Sequence, residues 1–166
     1  MLLGATKTTI EHKPDEEFIV QLMLQSRFAE AYLLLKQSPQ NHASTAFNLA
    51  ICVFHAKNYQ QAIIHLQHAW QNIPQNLNPK PLPDHIAQNL ISLQKETEDY
   101  LRPLNEKYTS AFGEIFRDHI IRLQTDCWLL LENWQKTVET AKPIEHKNYR
   151  NVLNALRIAI PKLSSL

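Results

Sequence analysis

Residues 44–74, STAFNLAICVFHAKNYQQAIIHLQHAWQNIP, limit the folds open to this chain more than any other stretch. Apolar side chains fall at Ala46, Leu49, Ala50, Val53 and Phe54, then again at Tyr59, Ala62, Ile63, Leu66, Ala69 and Trp70. Both sets keep the three- and four-residue spacing that lines up one face of a helix. Lys57-Asn58 supplies a polar turn between them. Pro74 stops the second helix, because proline lacks an N–H and clashes with the preceding turn. Ser44 or Thr45 is placed to cap the first helix with a side-chain oxygen. The expected product is an antiparallel hairpin, with Ala50, Ala62 and Ala69 small where the two backbones must approach closely.

The order of residues in this hairpin resembles a tetratricopeptide repeat. That pattern has a large residue, a Leu, a small residue and a large residue in the first helix. An aromatic follows the turn, then Ala, an apolar residue, Ala and a closing Pro. Ala46, Leu49, Ala50, Val53, Tyr59, Ala62, Leu66, Ala69 and Pro74 stand in those places. Two positions depart from it: Ala46 replaces the usual Trp, and Lys57 replaces the usual Gly before the turn.

Two other stretches repeat the signal. Ser26-Arg27-Phe28-Ala29-Glu30-Ala31 places an aromatic after a polar turn and Ala three residues later, as Asn58-Tyr59-Gln60-Gln61-Ala62 does. Asn133-Trp134-Gln135-Lys136-Thr137-Val138 follows the same order. Residues 15–40 therefore read as a first, short repeat, opened by acidic groups at the positive end of a helix dipole. Residues 117–142 read as a divergent third. Residues 1–13 show no period and are expected to form a loose tail. Residues 75–83 form a proline-rich connection, stiff and extended. A helix is expected from Asp84 through Leu101. Apolar residues then persist from Leu104 to Leu131, where an unbroken helix would run about 42 Å. A bend near Gly113 or Thr125-Asp126 is expected there. A final helix over 145–160 is expected to cover the end of the stack. The fold class is all-α: a single TPR-like domain over 1–166, a right-handed superhelix of antiparallel pairs with a C-terminal capping helix.

The resemblance implies a function. In tetratricopeptide folds the first helices of successive pairs line a groove that holds a segment of another protein. Carried over by position, the central repeat places Ser44, Phe47, Ile51, Phe54 and His55 there. The first repeat contributes Lys13, Glu16, Val20, Met23 and Leu24. The partner-binding residues expected are Val20, Met23, Phe47, Ile51, Phe54 and His55. Phe47, Ile51 and Phe54 stand where carboxylate-clamping members carry Lys and Asn, so that mode is not expected. An apolar patch of this size marks a binding site or a hidden interface. Either an amphipathic or apolar segment docks in it, or residues 104–131 fold back and fill it.

Net charge of +1 provides no field to steer the chain to nucleic acid or an anionic membrane, and neither is an expected partner. The N-terminus lacks the apolar run of a signal peptide, which points to the cytoplasm. Cys52 and Cys127 have apolar neighbours and read as buried thiols. His65 and His68 are spaced to share a metal, yet no further ligand accompanies them, so no metal or cofactor is expected. Lys147, Arg150, Asn154 and Arg157 share one side of the last helix and read as a solvated basic face. No nucleophile triad, phosphate loop or CxxC is present. The expected role is a non-enzymatic scaffold (adaptor, assembly factor or chaperone), whose bare apolar face also permits a homodimer. The alternative is a regulatory ligand-binding domain or enzyme with an internal pocket between helices.

Overall fold

Three helices of this chain end in the same way. Ser26, Lys57 and Glu132 all take positive φ, 61°, 60° and 55°. In each case the next residue turns its N–H back onto the helix: Arg27 to Leu22 O, Asn58 to Val53 O and Asn133 to Trp128 O, at 2.9 to 3.0 Å. This left-handed stop satisfies carbonyls that the last turn leaves open. A new helix begins at once with an aromatic residue, Phe28, Tyr59 or Trp134. Asn58 and Asn133 cap theirs, accepting from Gln61 N and Lys136 N. Arg27 holds that place in the first pair without capping, and its guanidinium pairs with Glu30 instead.

The computed structural model describes residues 15–74 and 83–164, and these contain helices and no strand. The pairs are α1 (Glu16–Leu24) with α2 (Phe28–Leu35), α3 (Ala43–His55) with α4 (Tyr59–Gln71), and α7 (Gly113–Leu130) with α8 (Trp134–Ala141). Each helix rests on the next: α2 on α3, α4 on α7, and α8 on α9 (Arg150–Leu163), which also reaches α7. The hairpin expected at 44–74 is present. Ala50, Ala62 and Ala69 are fully buried in its seam, and Leu66 is packed beside them. Full burial of a side chain of that size contributes about 1.5–3 kcal/mol. Three residues after each aromatic stands a buried small residue, Ala31, Ala62 or Thr137.

Several boundaries differ from expectation. The cap of α3 is His42, and Ser44 is buried with its hydroxyl turned to Glu16. Helix α5 (Asp84–Gln94) stops well before Leu101, and Asp99–Leu101 forms a 3-10 turn. The apolar run from Leu104 is not one helix: α6 (Glu106–Ala111) ends at Phe112, and α7 starts afresh at Gly113 without a bend at Thr125-Asp126. The last helix begins five residues later than expected. Pro143 seeds a 3-10 turn over Lys142–Lys147, and Asn148 at φ 58° ends it. The tail at 1–13 and the link at 75–82 lie outside the described residues, as does Lys13; Pro83 is extended and precedes α5.

Candidate functional site

The face that α1 and α3 turn inward is already occupied. Residues 99–112, running from the 3-10 turn through α6, cross it and are fastened by their backbone. The Asn48 side chain, 1% exposed, grips Leu104 from both sides: its Nδ2 donates to Leu104 O at 2.8 Å, and Leu104 N donates to its Oδ1 at 2.9 Å. Glu16 Oε1 accepts from both Ser44 Oγ and Glu106 N at 2.9 Å. His42 Nδ1 lies 2.9 Å from Glu106 Oε2. Below this strap Phe47 meets the Phe116 ring edge-on at 5.3 Å.

This corrects the expected groove. Phe47 and Ile51 have no exposed surface and Met23 retains 2%, so all three are core residues that no partner can reach. Val20 and Phe54 are half-buried, and only His55 of the six is exposed. The chain fills its own inner face, but with residues 99–112 and Phe116 rather than with one long helix over 104–131.

A buried charge holds the strap at its start. Arg122, 1% exposed, lies between the rings of Tyr100 and Tyr149, with its guanidinium carbon 4.1 and 4.4 Å from their centroids. It donates to Asn151 Oδ1, Gln94 O and Thr97 O. Asp126 accepts from the Tyr100 hydroxyl and from Asn151. Next to it Asp118 accepts from the Tyr149 hydroxyl at 2.7 Å and from Lys147 Nζ at 2.8 Å. Each guanidinium nitrogen of Arg122 thus donates to an oxygen while two rings cover its faces, the condition under which a buried cation is tolerated. Lys147 is thus a half-buried partner of α7 and leaves the basic face, which reduces to Arg150, Asn154 and Arg157. Sequence reasoning missed this network. Arg122 and Asp126 sit four apart, one turn of a helix, and that spacing was the available signal.

An open site remains on the other side of the first two pairs. Phe28, Ala29, Tyr32 and Leu33 of α2 face Cys52, Val53, His55 and Ala56 at the end of α3, around a groove of about 530 Å³. Alanines at positions 29 and 56 leave space that larger residues would fill. The His55 ring stacks on Phe28 at 4.0 Å, with only 12° between planes, and its partial burial lowers its proton affinity. Leu33 stands 63% exposed on the rim. The walls are apolar apart from the imidazole and the Tyr32 hydroxyl. Of the residues expected to bind a partner, His55 alone lies in this groove, and Phe54 packs behind it against Tyr59.

The buried thiols and the two phenols around Arg122 are held in their protonated, neutral forms. Burial pushes the Cys52 and Cys127 thiols up to about 12 and raises the Tyr100 and Tyr149 hydroxyls well above the phenol range. His65 is buried, with Nε2 3.3 Å from the Gln61 amide, while His68 is exposed. Among the described residues no three His, Cys, Asp or Glu side chains gather in a way that could hold a metal, and no helix is long and apolar enough to cross a membrane. No protein-family model matches this chain, and neither a curated protein nor a solved structure matches it.

Proposed function

We propose that this protein is a tetratricopeptide-like scaffold that holds a segment of another protein in the groove between α2 and α3. One observation carries the reading: with the inner face filled by residues 99–112, this groove is left lined by apolar side chains and open. Its volume falls in the range that admits a small ligand or a few anchoring side chains. Two short helix faces with an exposed Leu at the rim suit the apolar stripe of an amphipathic helix. The repeated turn at Ser26, Lys57 and Glu132 supports the repeat likeness. The thiols and phenols, held in their unreactive protonated forms, support a binding role rather than a chemical one.

The test is affinity purification with the wild-type chain and Leu33→Glu, followed by calorimetry with the purified partner. Leu33 is exposed, so the variant keeps the helical circular dichroism of the parent. Placing a carboxylate on the rim is expected to weaken binding about tenfold or more. Equal affinity for both proteins would remove the α2/α3 groove from the interface.

A further inference from the structure

Helix α5 is amphipathic, and only one edge of it is used by the fold. That edge is pinned at its end: Arg150 N donates to Lys95 O at 2.9 Å, and Arg122 takes Gln94 O and Thr97 O. Ile91 leans on the apolar cluster around Val152 and Leu156. None of the described side chains of α5 is fully buried, and Ile86 and Leu93 stand 39% and 72% exposed. These two are seven residues apart, two helical turns, and so form one apolar stripe about 10 Å long.

The groove between α2 and α3 is the complementary surface, with apolar walls and the exposed Leu33 on its rim. Charge agrees with shape. Exposed lysines lie past both ends of the groove, Lys57 directly after Ala56 and Lys36 one turn after Leu33, and the Glu30 carboxylate of α2 is engaged by Arg27. Residues 84–98 carry three carboxylates, Asp84, Glu96 and Glu98, against one lysine. Asp84 opens the helix and both glutamates follow its end, so the stripe is bracketed by acids as the groove is by bases. Fastened to α7 and α9, α5 is not free to enter the groove of its own copy. We propose that α5 of one copy docks its Ile86–Leu93 stripe in the α2/α3 groove of a second copy. This pairing rests on the groove reading above and gives that groove a definite occupant. It joins two different surfaces, so it can close as a reciprocal pair or continue head to tail. A stripe of two anchors buries less than a stable dimer requires, so the association is weak and reversible.

Sedimentation of the full chain from about 10 μM to about 1 mM tests this, and the mean mass is expected to rise with concentration. Leu33→Glu and Leu93→Glu, both at exposed positions, are each expected to weaken self-association about tenfold or more. Mixed in equal amounts they are expected to associate again, because the intact α5 of the first fits the intact groove of the second. Leu130→Glu, at a 50% exposed position on α7 outside both surfaces, is expected to associate like the parent. A wild-type chain that stays monomeric at about 1 mM overturns the pairing. So does undiminished association of either groove or stripe variant, a mixture of the two that stays monomeric, or an equal loss in Leu130→Glu. A monomeric wild type whose Leu33→Glu variant still loses a partner protein would end the self-pairing and leave the groove reading standing.

Discussion

His119 shows how far one side chain can work against the fold that contains it. It lies 2% exposed on α7, facing Phe47, Tyr108 and Gln94, with Arg122 one turn away and the charge of Asp99 acting on it in the opposite sense. Its Nδ1 is buried without a hydrogen-bond partner among the described residues. Burial, helped by the positive charge of Arg122, lowers its pKa from 6.5 to about 4. The unfolded chain therefore binds the proton first, and stability falls as pH drops from about 6.5 to about 4. The full loss across that window is about 3 kcal/mol. Replacing both the ring and its orphaned nitrogen in His119→Leu is expected to flatten this part of the profile. Urea unfolding at about pH 7 and about pH 4.5 reads the difference, and a variant as acid-sensitive as the parent would place the sensitivity elsewhere.

At the scale of elements, the helix pairs were legible and the strap was not. Alanines at 50, 62 and 69 and an aromatic after each turn carry the hairpins in local order, where periodicity can be read. Lys57 carried a further message. A lysine where the pattern has glycine still adopts the left-handed turn, and an L-residue there costs about 1–2 kcal/mol. Lys57→Gly is accordingly expected to stabilise the chain by about 1 kcal/mol, with thermal unfolding as the measurement. A lower midpoint would mean that the lysine side chain contributes more than its backbone costs. Residues 99–112 could not be read this way. Tyr100, Leu104, Tyr108 and Phe112 keep a four-residue spacing that suits a continuous helix. Pro103 breaks it locally, as the sequence indicates, but what places the segment is long-range: Asn48, 56 residues from Leu104 in sequence, takes the backbone groups of that residue. The groove residues failed for the same reason, since Phe47 and Ile51 occupy the expected positions while the strap covers them.

For the whole molecule, the first two pairs and the segment from residue 83 onward are joined through Asn48, Glu16 and the rings around Phe116, while Arg122 ties the strap to α7 and α9. Arg122→Ala would take the donor from Asn151 Oδ1, Gln94 O and Thr97 O and open a void between two rings inside the protein, a change expected to cost about 3–5 kcal/mol. Arg122→Met, apolar and of similar length, is expected to cost clearly less, because the cation is removed without leaving a void between Tyr100 and Tyr149. Chemical denaturation of both variants checks the order, and equal losses would deny the network its role. The account rests above all on the inner face being closed by the chain itself. Amide hydrogen exchange at Leu104, whose N–H is bonded to Asn48, tests that directly. Protection comparable to that of the α3 amides is the expected result. Exchange of the Leu104 amide at an unprotected rate, while α3 stays protected, would show an open groove and contradict the account.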